Sequence, residues 1–450
     1  MQTRLIILLS CAVTFLTSSC IESTSTVPPL LADYMPVTEE EKVEIRREKI
    51  DQFILPAMRE AGIDLWITLT REYNVDPIAG ALAAESMVAR TALIFTDDGN
   101  RLGRTAIAAS YDIDVLQKSA IYDTVISYRS EGLMPHLQTF LGHRNPRQIG
   151  VNFSKDTPIA DGISVSMLSY MKQAAGPQLA NRIVSAEQVV VAFRGKKTSR
   201  EIEILRKGVA ITEAILSEVL SSTVVKPGET TEIDLANFIR MQMKEYGVGP
   251  SWDPAGCPSI NTGTARGHSE PSNAVIEPGH IVTIDFGINL DGYCTDIQRT
   301  AYVLRPGEND APDWIIRMWE VNKQAVLEAF EWMKPGKTGL DVDNAARSVI
   351  VEAGYQEYPH ATGHPIGYIT HEVGPLLGPD WPERYGGLVF LKLEAGQVFA
   401  LEPAVSAHSE ELGGDIRIGR EEDVLITDDG PMWIGNPQEE LILINSGLSR

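Results

Sequence analysis

The second half of this 450-residue chain contains an internal repeat, and the repeat limits the fold more than any other feature. The segment Lys226–Thr230 (KPGET) recurs as Lys334–Thr338 (KPGKT), and each copy stands between two helical patterns. A turn-plus-strand segment, Glu277–Asp285, then recurs as Glu394–Glu402. The preserved order of the matching elements argues against coincidence. We therefore predict two similar halves around a pseudo-twofold axis, across which the acidic last residues of the two turn-plus-strand segments face each other.

Asp285 and a second aspartate, Asp296, fall in a predicted β-hairpin. Its two strands, 280–290 and 293–303, are joined by Asp291-Gly292, a common hairpin turn. The two aspartates have matching parity, so they project from one face, opposite or diagonal to each other. Exposed strand residues are the alternative, but the apolar neighbours of Asp285 leave little solvent-facing alternation. Two buried carboxylates repel each other unless they are protonated or bind a cation, so the pair predicts a metal site.

Histidines and two glutamates extend this candidate site. Three histidines fall within twelve residues, and two glutamates follow them: His360, His364, His371, Glu402 and Glu421. The four carboxylates of Asp285, Asp296, Glu402 and Glu421, with one imidazole from the histidine cluster, form a hard, oxygen-rich ligand set. Such a set can hold two divalent cations. Two such ions about 3.5–4 Å apart can hold a bridging hydroxide and polarise a carbonyl group.

Composition and motifs exclude other classes of function. The formal net charge is −22, and an acidic surplus of this size repels phosphate backbones, so nucleic-acid binding is disfavoured. The sequence contains no serine elbow, phosphate-binding glycine loop or dinucleotide fingerprint.

The first half of the chain predicts a separate α/β domain, over residues 45–195. A helical pattern runs from Glu39 to Gly62, and strand-like runs then alternate with helical or turn-rich segments. The predicted strands are Leu65–Leu69, Ala92–Phe95, Gln148–Phe153 and Val189–Phe193. Thr198 and Glu201 fit a capping box for a helix that extends to about Ser221. A catalytic domain is therefore predicted over residues 196–450.

The N-terminus predicts export. Arg4 precedes an apolar run of about a dozen residues, which is typical of a secretory signal and too short to span a bilayer, for which ~20 residues are needed. We predict a signal peptide over residues 1–19, of the lipoprotein type, and a tether over residues 20–44. Lipidation of Cys20 would anchor a periplasmic or membrane-bound protein, and ordinary cleavage would instead leave a secreted protein with a free thiol.

Cys257 and Cys294 are the cysteines of the predicted folded part. We expect two small buried thiols. One disulfide between them and a softer metal contact from Cys294 are the alternatives.

Together these motifs resemble the superfamily of methionine aminopeptidase, aminopeptidase P, prolidase and creatinase, the M24 metallopeptidases, with the Xaa-Pro peptidases as the closest subgroup. The resemblance covers residues 200–445 as the catalytic domain and about 45–190 as a creatinase-type N-terminal domain. It implies an α/β N-terminal domain followed by an α+β catalytic domain with the duplicated pita-bread fold. It also suggests a homodimer.

The resemblance assigns roles to individual residues. It implies that Asp285 binds one metal, that Asp296 and Glu421 bridge both, and that His364 and Glu402 complete the first metal's shell. Glu402 would also accept a proton from the bridging water. By the same resemblance three histidines contact substrate or line the pocket, and an arginine orients a carboxylate: His268, His371, His360 and Arg417. The metals would be manganese, with zinc, cobalt or iron as alternatives.

Two departures from the family pattern concern the site. Pro365 follows His364 where the family has glycine, and we expect it to reshape the pocket floor. The family reads Arg-Ile-Glu at the last ligand, whereas here Gly419-Arg420 separates Arg417-Ile418 from Glu421. A β-bulge would accommodate the extra residues, and Glu422 is the alternative ligand. Gly363 and Gly367 are predicted to let the backbone approach the site closely.

The sequence thus predicts a dinuclear metal-dependent hydrolase that cleaves the bond before proline in peptides, as an aminopeptidase or a dipeptidase. A hydrolase or lyase of the same fold acting on a small non-peptide substrate is the second hypothesis. An inactive binding protein is the third, and the intact ligand set argues against it.

Overall fold

The computed structural model describes residues 34–445. The predicted signal peptide and Cys20 therefore lie outside the described residues. The first helix begins at Glu39, so the end of the predicted tether, residues 39–44, is helical, as the pattern from Glu39 predicts. Between residues 34 and 445, no helix is both long and apolar enough to cross a membrane.

The N-terminal part folds around one mixed sheet. Its elements are α1 (Glu39–Glu60), β1 (Leu65–Thr70), β2 (Thr91–Asp97), β3 (Leu102–Ala109), α2 (Ile113–Lys118), β4 (Thr124–Tyr128), α3 (Leu133–Arg144), β5 (Ile149–Val151), α4 (Val165–Ala180), β6 (Ile183–Ser185) and α5 (Glu187–Gly195). The strand order is β4-β3-β2-β1-β5-β6. Along β1, Leu65 and Ile67 pack with α3 and α4, while Trp66 packs with α1 and α5. Side chains alternate across a strand, so this sheet is covered by helices on both faces.

Helix α5 overturns one prediction. Val189–Phe193 was predicted as a strand because of its valines, but Glu187–Gly195 forms a helix. Val189, Val190 and Phe193 are fully buried and share one helical face, which packs in the core beside α1. Packing at this face outweighs the modest preference of valine for strands. The other three predicted strands and both predicted helices, α1 and the one that Thr198 caps, are confirmed.

The C-terminal part contains two four-stranded sheets flanked by helices. Its helices are α6 (Ser199–Val219), α7 (Glu232–Tyr246), α8 (Asp313–Trp332), α9 (Gly339–Glu352) and α10 (Pro382–Tyr385). Its strands are β7 (Gly249–Pro250), β8 (Ser259–Thr262), β9 (Ile281–Phe286), β10 (Ile288–Leu290), β11 (Tyr293–Cys294), β12 (Ile297–Val303), β13 (Gly363–Pro365), β14 (Val398–Leu401), β15 (Ala404–Ser409), β16 (Gly414–Gly419), β17 (Glu422–Thr427), β18 (Gly430–Trp433) and β19 (Ile442–Ile444). The sheet orders are β19-β12-β9-β8 and β13-β14-β17-β18.

The predicted hairpin is present, with an interruption near its middle. Strands β9 and β10 pair with β12 and β11 in one continuous register around the Asp291-Gly292 turn. Both turn residues have positive φ, as a tight two-residue hairpin requires. The ladder breaks at Gly287, where a Cβ would lie 1.9 Å from the carbonyl oxygen of Thr295. Asp285 pairs with Gln298, so Asp296 lies diagonal to Asp285, one of the two predicted arrangements.

The backbone confirms the repeat. Gly228 and Gly336 have φ values of 85° and 87°, and Gly279 and Gly396 have values of 92° and 90°. The amide of Gly228 donates to Ile276 O at 2.8 Å, and the amide of Gly336 donates to Leu393 O at 2.9 Å. Ile276 and Leu393 directly precede the two turn-plus-strand segments. Equivalent glycines thus make equivalent turns, and the predicted duplicated α+β architecture follows.

The ladder register shows which residues of the two halves correspond. With Asp285 matched to Glu402, the residue beside β9 that corresponds to His364 is Asn261. By the same register Gln298 corresponds to Glu421. Those last two residues also pair with each other in an isolated bridge between β12 and the start of β17. The pseudo-twofold axis therefore passes between Gln298 and Glu421, and the two sheets meet there.

Candidate metal centre

A cavity of about 320 Å³ lies where the two sheets meet. All five predicted ligands line it: Asp285, Asp296, His364, Glu402 and Glu421. Residues from three loops complete the lining: Trp252, Gly256, His268, Ser269, Glu270, Thr370 and His371. Asp285 comes from β9, Asp296 directly precedes β12, and His364 comes from β13. Glu402 follows β14, and Glu421 directly precedes β17. Each half of the repeat thus contributes carboxylates to one cavity.

Three of these residues are spaced for a metal ion. Ligand atoms of Asp296, His364 and Glu421 all lie within 4.8 Å of one another. Asp296 Oδ1 is buried without a hydrogen-bond partner, and Asp296 Oδ2 lies 3.6 Å from His364 Nε2. A buried carboxylate oxygen without a partner is costly, and a cation would satisfy it. The donors present therefore fit a divalent metal.

Hydrogen bonding orients the imidazole of His364 for ligation. Its Nδ1 lies 3.2 Å from Pro365 O, and a carbonyl only accepts, so Nδ1 carries the hydrogen. The lone pair on Nε2 then faces Asp296 and also Glu402 Oε1, which is 3.8 Å away. Burial lowers the pKa of His364 to about 3, with a smaller contribution from His371. The ring is therefore neutral at physiological pH, which metal ligation requires.

The carboxylates are destabilised as anions by their own surroundings. Burial, then Asp285, raises the pKa of Asp296 well above its usual range. Burial, then Asp296, does the same for Glu421. Burial raises the pKa of Glu402 to about 7, although Arg417 opposes the shift. Divalent cations would remove this repulsion, because an opposite charge nearby favours the ionised form.

The β-bulge predicted before Glu421 is wrong. Leu401 pairs with Glu422, and Ala404 pairs with Gly419. The two residues between Leu401 and Ala404 therefore stand opposite the two between Gly419 and Glu422, and the register is unbroken. Glu402 therefore lies directly opposite Glu421. Glu422, the alternative ligand, is held away from the cavity by Arg299 at 3.1 Å and by the amide of Gln438 at 2.7 Å. The geometry favours Glu421 as the ligand.

The other predicted residues lie at different depths. His268 is at the mouth, with 79% of its side chain exposed and Nδ1 3.2 Å from Asp285 Oδ2, and this contact raises its pKa. The His371 ring meets the His364 ring edge-on, with centroids 4.3 Å apart. His360 and Arg417 form a layer behind Glu402: His360 Nδ1 is 3.9 Å from Glu402 Oε2, and Arg417 Nη2 is 3.3 Å from His360 Nε2.

Arg417 does not bond the ligand carboxylates directly. Its Nη1 donates to Gln298 Oε1 at 2.8 Å, so the expected orienting contact is made with an amide. It acts on Glu402 through its charge, which lowers the pKa of that carboxyl.

Pro365 and the two neighbouring glycines have structural roles, and the expected effect of Pro365 on the pocket floor is wrong. Successive strand residues point to opposite faces, and the Pro365 ring packs beside Gly374 rather than in the cavity. A Cβ at Gly363 would lie 2.2 Å from Ala400 O, and one at Gly367 would lie 2.7 Å from Lys197 Cε. Both glycines make room for packing within the fold, not for a substrate.

Both cysteines of the folded part are free and buried, as expected, so the alternative disulfide is absent between these described residues. Cys294 Sγ contacts Asn289 Nδ2 at 3.4 Å, and the cavity lining does not include it. Burial raises the pKa of the Cys294 thiol, so it is a poor candidate for a metal contact.

Sequence reasoning missed several residues of the site. Trp252, Glu270 and Thr370 line the cavity. Trp252 stands in a loop with no motif around it, whereas Glu270 and Thr370 lie beside the predicted residues His268 and His371. Asp423 Oδ2 accepts the backbone amide of Asp296 at 3.3 Å. Its position two residues after Glu421, in a run of three acids on a strand, was the available signal, because i and i+2 share a face.

A duplicated domain that gathers four carboxylates and an imidazole in one cavity defines a metal-dependent hydrolase. The profile of metallopeptidase family M24 matches residues 203–428, half of the chain. The chain belongs to this family, and its catalytic domain has the pita-bread fold. Enzymes of the family use divalent metals.

Individual relatives agree with this membership. An Xaa-Pro dipeptidase of Pyrococcus furiosus is 31% identical over 287 residues, covering 62% of this chain and 73% of that protein. An uncharacterized peptidase of Bacillus subtilis, YqhT, is 32% identical over 264 residues, covering 58% of this chain and 68% of that protein. The solved structure of an Xaa-Pro dipeptidase from Bacillus anthracis superposes with a TM-score of 0.62 at 26% identity, covering 90% of this chain and 99% of that one.

Proposed function

We propose that this metallopeptidase hydrolyses the bond before proline in Xaa-Pro peptides and that it uses two divalent cations. One observation carries the proposal: five ligand side chains from both halves of the repeat line a single cavity. The similarity to Xaa-Pro dipeptidases supports the proline specificity.

Asp285, Asp296, His364, Glu402 and Glu421 would hold the two cations. A set of four carboxylates and one imidazole suits manganese, and zinc, cobalt and iron are alternatives. When bound, such cations make water nucleophilic near neutral pH and polarise the scissile carbonyl.

The residues of the chain itself supply proton transfer and charge stabilisation. Glu402 lies beside the proposed reaction centre and would accept the proton that the attacking water loses. His371, beside His364, and His268, at the cavity mouth, would donate to oxygens of the substrate as charge develops. His360 and Arg417 would keep Glu402 in place from behind.

The cavity offers a wall for the proline ring. The Trp252 indole is fixed by a hydrogen bond of 2.9 Å from Nε1 to Gly256 O, and it lines the same cavity as the ligands. A rigid aromatic face of this kind suits a saturated five-membered ring. The volume of about 320 Å³ lies at the lower end of ligand pockets and suits a short peptide.

Hydrolysis assays test the proposal. Residues 21–450 loaded with Mn²⁺ would be given an Xaa-Pro dipeptide, an Xaa-Pro tripeptide and a peptide without proline, each with and without chelator. We expect chelator-sensitive, proline-dependent cleavage, and the preferred length would separate a dipeptidase from an aminopeptidase. Asp296→Asn should lose metal and activity, whereas Asp428→Asn, an exposed aspartate in a turn, should keep both. Two bound metals with no peptide cleaved would contradict the proposal and favour a small non-peptide substrate.

We further propose that the chain is exported, is anchored through Cys20 and forms a homodimer. The signal-like N-terminus supports export, and resemblance to the family supports the dimer. Fractionation of the full chain tests export and anchoring, and sedimentation of residues 21–450 tests the dimer.

A further inference from the structure

One buried ion pair ties the N-terminal domain to the loop beside the metal site. Arg194, in the last turn of α5, forms two hydrogen bonds with Glu372: Nε to Oε1 at 3.2 Å and Nη2 to Oε2 at 2.7 Å. Their side chains are 8% and 0% exposed. Glu372 directly follows His371, so the pair lies one residue from the proposed catalytic machinery.

Glu372 closes the loop that carries His371. Its carboxylate also accepts the amides of Tyr368, at 3.3 Å, and of Val373, at 2.9 Å. Its own amide donates to Pro365 O at 2.9 Å. Glu372 therefore joins both ends of the segment 365–373, through its backbone amide at Pro365 and through its carboxylate at Tyr368 and Val373. This segment begins next to the ligand His364.

The position of Arg194 is itself fixed by the end of α5. Lys197 is buried, and its Nζ donates to Gly195 O at 2.7 Å and to Arg194 O at 3.2 Å, which caps the last carbonyls of the helix. The Tyr368 ring covers the guanidinium, with the Arg194 Cζ 4.7 Å from the ring centroid. A planar guanidinium held in this way sets the direction of both hydrogen bonds to Glu372.

We infer that Arg194 is a positioning residue for the active site: through Glu372 it holds the 365–373 loop so that His371 stays against His364. The inference rests on the proposed function, in which His371 contacts the substrate. It makes the N-terminal domain part of the catalytic apparatus. Small displacements of such groups are costly to the rate, since a misplacement of about 1 Å can reduce it about 100-fold.

A kinetic cycle between Arg194 and His371 tests the inference. In the Mn²⁺-loaded full chain, Arg194→Met should lower kcat/KM by about 10- to 100-fold, chiefly through kcat. In a His371→Ala background the same change should lower it by less than about twofold, because the group that Arg194 positions is already gone. Arg59→Met is the control, since the two hydrogen bonds from Arg59 to Asp97 lie within the N-terminal domain and reach none of residues 365–373. Equal losses in both backgrounds would overturn the inference.

Hydrogen exchange gives a readout that does not depend on activity. The amides of Tyr368 and Val373 should exchange at least about tenfold faster in Arg194→Met than in the parent protein, because hydrogen bonds to a displaced carboxylate are lost. Arg194→Met/Glu372→Leu removes both charges of the pair together, so it should fold and show the same faster exchange and loss of kcat. If the parent cleaves no Xaa-Pro peptide, the proposed function fails while exchange still tests the anchoring. Unchanged hydrogen exchange of the amides in residues 366–373 would overturn the inference that Arg194 holds this loop.

Discussion

Removal of the proposed proton acceptor should stabilise the metal-free protein at neutral pH. Burial raises the pKa of Glu402 from 4.5 to about 7 in the absence of cations. The folded state therefore holds a proton that the unfolded chain releases from about pH 4.5 upward, and the free energy of unfolding falls as the pH rises toward 7. A shift of this size corresponds to about 3 kcal/mol. Glutamine at this position has no such titration, so Glu402→Gln removes the loss.

Urea unfolding of the chelator-treated protein at several pH values between 4.5 and 7 measures this effect. The parent protein should lose about 3 kcal/mol more than Glu402→Gln across the range. Glu410→Gln, an exposed glutamate in the same part of the chain, should behave like the parent. With Mn²⁺ added at pH 7 the order should reverse, because only the parent has the full ligand set and gains the binding free energy.

Parallel stability curves for the metal-free parent and Glu402→Gln would refute this reasoning. They would mean that the Glu402 carboxyl titrates normally in the folded protein, so the cavity would be wet enough to solvate its charge. The argument that repulsion among buried carboxylates favours cation binding would then fail with it.

Three further changes have defined outcomes. Gly363→Ala should lower the free energy of unfolding by about 1–3 kcal/mol, because its Cβ would lie 2.2 Å from Ala400 O. Gly142→Ala, in open space within α3, should be neutral or stabilising, and thermal unfolding compares the two variants. His371→Ala should lower kcat more than it raises KM without changing metal content, because its proposed contact forms as charge develops; steady-state kinetics with metal analysis checks this. Cys20→Ser should abolish labelling of the full chain by radioactive palmitate and release it from membranes, and persistent labelling would contradict lipidation at this residue.

Patterns tied to backbone geometry could be read from the sequence. The hairpin was predicted because Asp291-Gly292 fits only a few turns and strand parity is strict, so Asp285 and Asp296 were correctly placed on one face. The repeat was predicted because two motifs recur in the same order, and in the structure their glycines occupy positive-φ turns in both copies. The bulge before Glu421 was predicted by counting residues against a family pattern. The pairing of Leu401 with Glu422 and of Ala404 with Gly419 shows that no bulge is needed.

Features that depend on distant packing could not be read in this way. Val189–Phe193 has strand-like residues, and only its contacts with α1 and the sheet make it helical. Arg194 and Glu372 are 178 residues apart, so nothing local in the sequence indicates that they pair. Gly367 was predicted to let the backbone approach the site closely, but the space beside it is filled by Lys197. In each case the partner is set by tertiary structure, which single-residue propensities do not encode.

The two halves of the catalytic domain are joined in one chain, and this has a genetic consequence. If the two halves were separate, identical chains in a dimer, one mutation would change both copies. A histidine at the position of His364 would then also stand at the equivalent position in the other half, which Asn261 occupies here. In a single chain the two positions mutate independently. Asn261 instead bonds the loop before His268, from its Nδ2 to Gly267 O at 2.9 Å, and Gln298, the counterpart of Glu421, holds Arg417. A single chain can therefore place ligands, His364 and Glu421, in one half where the other half has residues that make supporting contacts, Asn261 and Gln298.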